Sequence, residues 1–292
     1  MQGWRGNCSI PGSDGLPVQC VGPWVEDKFF FLERYLIASR EARRKFSDNG
    51  NAAFIDLFAG PGKCIIKGEK KEIDSGGMRA LKREDAPFNN LYYFDIVQAN
   101  VDSLGKRMNR KSGIHIHCGD SNILVEELMQ KLMQDLYRYH FAFIDPFSPQ
   151  GLKFDTLKKL AKLNKMDMLI NFPIGAIKRN LQTWMDRSDT ILDDFLGTNE
   201  WRREIKESTK GNIFRALIEI YKKQLISIGY PEEGLRAASS DDKICSGLPT
   251  VPIRNTKDVD LYVLILASKH PLGQKIWNSI IKYDPVGQKR LF

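Results

Sequence analysis

Aspartates stand at the ends of several apolar runs in this chain, and one of them leads into a glycine turn. In Phe54-Ile55-Asp56-Leu57-Phe58-Ala59-Gly60-Pro61-Gly62 the apolar residues form the nearly continuous run of a parallel strand covered on both faces, and Asp56 interrupts it. A carboxylate inside such a strand needs a reason. Gly60 and Gly62 reach backbone angles closed to other residues, and Pro61 stiffens the bend. A turn without side chains lets a small molecule approach the backbone. Further along, Asp95 ends the run from Asn90, Asp120 follows Gly119 after Ile114 to Cys118, and Asp145 ends His140 to Ile144. Ligands in open α/β sheets bind outside the carboxyl ends of the strands, so the turn and these three acids are expected to converge on one crevice. An acid closing the second strand accepts hydrogen bonds from ribose hydroxyls in nucleotide-like sites. Capping the following helix is the other reading of Asp95.

Two phosphate-binding motifs fail on the same letters. A dinucleotide fingerprint needs a small residue where Ile65 stands, and a P-loop needs Ser or Thr at Cys64 and glycine at Leu57. What remains resembles the first motif of class I S-adenosylmethionine (SAM)-dependent methyltransferases, Asp-x-Phe-x-Gly-x-Gly, on Asp56, Phe58, Gly60 and Gly62. The resemblance implies that the turn passes the methionine part of the cofactor SAM, that Asp95 holds its ribose, and that Asp120 contacts the adenine amino group. Asp145-Pro146-Phe147 likewise resembles the Asp/Asn-Pro-Pro-aromatic motif of amino-group methyltransferases. There the acid and a proline-fixed carbonyl hold the target nitrogen, and the aromatic ring stacks on the base. One proline is missing here.

The elements that must carry these residues alternate between strand and helix patterns. Residues 1–23, rich in Gly, Pro and Ser, read as an irregular N-terminal arm, and 24–292 as one methyltransferase-like domain. Trp24 to Phe46 has helical spacing, with Arg43, Arg44 and Lys45 read as a solvated helix end and Lys28 and Trp24 able to reach the cofactor edge. Lys63 to Asp74 reads as a long charged loop, and Ser75 as the cap of a short helix from Gly76. His115 and His117 share a strand face without a third ligand nearby, so they read as packed residues and no metal is assigned. Asp167 to Phe172 forms a fifth strand, and Asn171-Phe172-Pro173 gives a second polar-aromatic-proline edge beside the first. A charged helical insertion at about 176–210, with Arg179, Trp184, Arg187, Trp201, Arg202 and Arg203, suits either a solvated cap or contact with nucleic acid. Residues 244–254 and 259–268 complete a seven-stranded sheet.

The 292 residues suffice for one large α/β domain, and no apolar run is long enough to cross a bilayer, so a cytoplasmic protein with no membrane partner is expected. Five scattered cysteines without a Cys-x-x-Cys pair read as reduced thiols. A net charge of +8 favours polyanionic partners, RNA or DNA.

The set 56–62, 143–147, 167–173 and Ala267-Ser268-Lys269-His270-Pro271-Leu272-Gly273 is similar to the bacterial three-Cys-motif partner (TcmP) proteins over nearly the whole chain, with Ser148 where a glycine is common. The resemblance implies a Rossmann-like seven-stranded methyltransferase sheet with a helical, winged-helix-like portion after residue 175. With the Asp145-Pro146-Phe147 resemblance and the basic charge, a SAM-dependent methyltransferase acting on a nucleic acid base is expected, with Asp145, Pro146 and Phe147 at the reacting end. A non-catalytic partner of a cysteine-motif protein, or a small-molecule methyltransferase, is the alternative.

Overall fold

The long apolar runs become strands because both of their faces can be buried. The computed structural model describes residues 11–109, 112–134, 138–207, 213–235 and 250–285. Its strands are β1 (Gln19–Val21), β2 (Ala52–Asp56), β3 (Lys63–Ile66), β4 (Glu72–Asp74), β5 (Asn90–Asp95), β6 (Ile114–Cys118), β7 (Tyr139–Ile144), β8 (Met166–Phe172), β9 (Thr250–Arg254) and β10 (Asp260–Ser268). Every residue of β2 and β8 is buried.

Seven strands form one sheet in the order β6-β5-β2-β7-β8-β10-β9. The first five are mutually parallel, and β10 runs antiparallel to both β8 and β9. From β2 the chain builds outwards to β5 and β6, then returns to place β7 and β8 on the other side. The strand order therefore reverses between β2 and β7, where open sheets leave a crevice at their carboxyl edge. Alternate residues of β2 supply two cores: Ala53 and Ile55 join one cluster with Leu128, Leu157 and Tyr221, while Ala52 and Phe54 join another with Leu32, Tyr35 and Trp277.

Several elements differ from expectation. The single helix over 24–46 is two, Val25–Ala38 and Arg40–Ser47, separated at Ser39, whose hydroxyl bonds the Tyr35 carbonyl at 2.7 Å. Arg43, read as part of a solvated helix end, is only 1% exposed because the helix turns it inward under Phe88 and onto the Ala86 carbonyl. The charged loop over 63–74 is a hairpin, β3 antiparallel to β4, with Cys64 and Ile66 turned inward. Its inward period of two is masked by the surrounding lysines. Part of the expected irregular arm joins it, since β1 pairs in parallel with β3. Arg107 anchors the same segment through Asp14, with 2.8 Å bonds from both Nε and Nη2, and through the carbonyls of Pro17 and Pro61.

The insertion consists of helices Ile174–Met185, Ile191–Leu196 and Trp201–Glu207, followed by Ile213–Ser227. Among the described residues of 174–235 no strand supplies a wing. Trp201 is fully buried and donates to Asp193 at 2.6 Å, while Arg202 pairs with Asp193 at 2.5 Å and lies 4.4 Å over the Trp201 ring. These two residues serve packing. Arg179 and Arg187 are exposed. Residues 244–249, expected to open a strand, lie outside the described residues. Cys64 and Cys118 are free, but Cys20 is disulfide-bonded, which corrects the reading of all five as thiols; sequence spacing does not report distance. No helix among the described residues is long and apolar enough to cross a membrane.

Candidate active site

The glycine turn takes its shape from two residues in the left-handed region, Gly60 at φ +63° and Gly62 at φ +94°. A side chain at Gly62 would also collide, since its Cβ would sit 2.9 Å from Leu104 Cδ1. Before the turn, Asp56 is 2% exposed and accepts the Phe58 amide at 3.0 Å. Burial pushes its pKa up to about 8; the Phe58 amide opposes the rise, and the charges of Asp145 and Asp95 add to it. At neutral pH this carboxyl is mostly protonated.

Asp95 ties the end of β5 to the turn. Its Oδ2 accepts the Gly60 amide at 2.9 Å, and its Oδ1 accepts the Val97 amide at 2.8 Å and the Asn100 side chain at 3.1 Å. Asp95 thus secures the start of the helix Gln98–Arg107 and also holds the glycine turn. A carboxylate offers about four acceptor sites, and three are engaged.

Asp120 caps the helix Ser121–Leu132 by accepting the Asn122 amide at 2.9 Å. Asn122 in turn donates to the Gly151 carbonyl at 3.0 Å and accepts from the Lys153 amide and the Thr156 hydroxyl at 2.9 and 2.7 Å. This amide, which the sequence reading passed over, links the loop after β6 to the loop after β7.

Asp145, just beyond β7, is held from two other elements. Lys28, from the helix Val25–Ala38, meets its Oδ2 at 2.5 Å, and Asn171 of β8 donates to its Oδ1 at 2.6 Å. Lys28 is 8% exposed and Asn171 fully buried. The Lys28 ammonium also lies 5.8 Å from the Tyr262 ring of β10. Burial alone would lower the lysine's pKa, but Asp145, with smaller contributions from Tyr262 and Cys64, opposes it and the net shift is upward. The Phe58 ring, from the strand-to-turn segment, and Pro146 both border Gly151. Pro146 is buried, whereas Phe147 is 63% exposed.

Three large apolar side chains stand in solvent next to the acids: Ile96 after Asp95, Ile123 in the first turn beyond Asp120, and Phe147 after Asp145. Each belongs to a different strand end. His115 and His117 stack instead on Tyr92 and Phe94 at 4.7 and 5.1 Å, and burial lowers the pKa of both.

The structure thus brings Asp56, Phe58, Gly60, Gly62, Asp95, Asp145 and Pro146 together around the sheet reversal and leaves Asp120 on the flank at the end of β6. The partnership of Lys28 and Asn171 with Asp145 was missed. Both carried a signal: Lys28 lies three residues before Phe31 and seven before Tyr35, on the buried face of its helix, and Asn171 interrupts an apolar strand as Asp56 does.

No family model and no curated protein matches the chain. Among solved structures, the chain is similar to protein LPL1258 of Legionella pneumophila, of family-model DUF519, with 10% identity, 86% of this chain and 90% of that chain covered, and a TM-score of 0.43. It is also similar to a SAM-dependent methyltransferase of Anabaena variabilis, with 9% identity, 84% and 93% covered, and a TM-score of 0.35. At these identities and TM-scores the likeness carries no argument, and the chemistry of the site stands on its own residues.

Proposed function

We propose that this chain is a SAM-dependent methyltransferase of the three-Cys-motif partner kind, with its cofactor in the carboxyl-edge crevice and a nucleic acid base as methyl acceptor. One observation carries the reading: at the reversal between β2 and β7, Asp95 clamps the Gly60 turn on one side while Asp145, held by Lys28 and Asn171, stands on the other. The donor set fits the cofactor. Asp95 keeps one acceptor position for a ribose hydroxyl, and Asp120 lies at the next strand end for an adenine amino group. Ile96 and Ile123 offer apolar surface for a flat base, and the side-chain-free turn gives room to the methionine end. When bound, SAM supplies an electrophilic methyl group on a sulfonium.

The chain's own contribution is positioning and exclusion of water. Asp145 accepts a proton of the target nitrogen and orients its lone pair, and Phe147 stacks on the base. Lys28 and Asn171 fix the acid from two other elements. The net charge of +8 supports RNA or DNA as the partner, and the family resemblance supports a cysteine-motif protein.

Tritiated-methyl incorporation into total RNA and DNA tests the reading. Asp145→Ala is expected to lower it at least about a hundredfold, the scale of lost orientation, while SAM affinity by calorimetry stays near wild type. Equal incorporation by both folded proteins removes Asp145 from catalysis. A second reading is favoured by the same ion pair, which already satisfies the acid: a non-catalytic partner that keeps the cofactor fold as a scaffold. Incorporation by neither protein selects it.

A further inference from the structure

At the amino edge of the sheet, away from the crevice, lies a cavity of about 370 Å³, within the roughly 300–1,000 Å³ of small-molecule sites. Tyr35, Phe46 and Tyr139 supply aromatic wall, with Phe46 and Tyr139 stacked at 5.8 Å, and Leu272 and Ile276 supply aliphatic wall. Arg43 lines it as well. Although 1% exposed, Arg43 makes no ion pair among the described residues: Nε donates to the Ala86 carbonyl at 2.8 Å, Nη1 to the Ser39 hydroxyl at 3.1 Å, and Nη2 has no hydrogen-bond partner. A buried guanidinium nitrogen with no partner is expensive, and burial lowers the Arg43 pKa against the opposing charge of Asp85.

The carboxylate whose charge reaches Arg43 is Asp85, and a second one, Asp167, lines the cavity. Asp167, 6% exposed, accepts the hydroxyls of Tyr35 and Tyr139 at 2.8 and 2.9 Å, and burial raises its pKa. Lys45, Lys165 and Lys269, on the same lining, add further positive charge. Leu272 and Ile276 also border an open apolar groove with Ile37 and Ile280, so the cavity continues along the surface.

We propose that this cavity is a second ligand site, independent of the methyltransferase reading, which takes an apolar carboxylate with its charge beside Arg43 and its body against the rings and aliphatic wall. The guanidinium recognises the carboxylate, and the apolar lining excludes a bare, strongly hydrated anion.

Calorimetry on the intact protein with benzoate, decanoate and inorganic phosphate tests this. One-to-one binding of a carboxylate is expected, with phosphate at least about tenfold weaker. Tighter benzoate binding places the ligand within the cavity, and tighter decanoate binding extends it along the groove; either supports the site. Ile276→Trp, which fills the space and leaves Arg43 in place, and Arg43→Met are each expected to weaken binding at least about tenfold. Should Arg43→Met fail to fold, Ile276→Trp decides alone. No carboxylate binding at millimolar concentration, phosphate binding as tight as the carboxylates, or unchanged affinity in Ile276→Trp overturns the proposal.

Discussion

At the carboxyl edge of the sheet the buried cation Lys28 meets Asp145 at 2.5 Å, whereas at the amino edge Arg43 is more deeply buried and makes no ion pair among the described residues. The carboxylates divide in the same way. Asp95 and Asp145 draw donors from the backbone, a side-chain amide and a lysine, while Asp167 is served by the hydroxyls of two tyrosines. Strand direction explains much of this contrast. Parallel strands deliver their last residues and the turns that follow to one edge, where freed amides and the N-termini of the next helices favour negative charge. Acids therefore collect there. The opposite edge receives strand starts and helix ends, and charge there is managed by burial instead.

Substitutions that treat the two edges differently put this contrast to the test. The largest effect is expected from Lys28→Met, which leaves Asp145 with an uncompensated charge; breaking such a pair costs about 3–5 kcal/mol. Urea unfolding measures it, and the double variant Lys28→Met, Asp145→Leu should recover most of the loss. A cost below about 1 kcal/mol would mean that solvent screens the pair as it does a surface ion pair, and the contrast between the edges would lose its basis.

Next comes the cofactor clamp. Asp95→Ala should weaken SAM binding by about 1.5–3 kcal/mol, because a ribose hydroxyl loses a charged acceptor and the Gly60 amide is released. Asp167→Asn at the other edge should leave SAM affinity unchanged. Calorimetry on both proteins reads the difference, and equal losses would show that fold stability, not the clamp, sets affinity.

A third test concerns pH. Folding raises the Asp56 pKa from 3.8 to about 8, so above the lower value the folded protein holds a proton that the unfolded chain releases. The contribution is whole below the unfolded value, declines as pH rises from about 4 to about 8, and is level beyond. Asp56→Asn should therefore flatten the decline of unfolding free energy across that window. An unchanged slope would place the titration on another group.

How much of this could be read from the chain depends on the range of the interaction. The runs in β2, β5, β6, β7 and β8 announce themselves through local periodicity, and Asp95, Asp120 and Asp145 mark their ends because an acid closes each apolar run. The hairpin over 63–74 stayed hidden, as its inward period of two spans only a few residues among lysines. In the helical insertion, Trp201 and Arg202 have the composition of a nucleic-acid surface, yet the structure spends both on Asp193. Composition cannot separate those uses.

The amino-acid sequence by itself determined the alternating α/β architecture, the glycine turn and the acids at the strand ends, since these rest on residue conformational preference and on patterns within single elements. Tertiary structure alone decided which charges meet. Lys28 and Asp145 are 117 residues apart, and only the packing of the helix Val25–Ala38 against the sheet brings them to 2.5 Å. Packing of the next helix, Arg40–Ser47, turned Arg43 out of a row of basic residues that looks solvent-facing and buried it beside a cavity. Coulomb energy depends on separation and surrounding dielectric, and neither quantity is written in residue order.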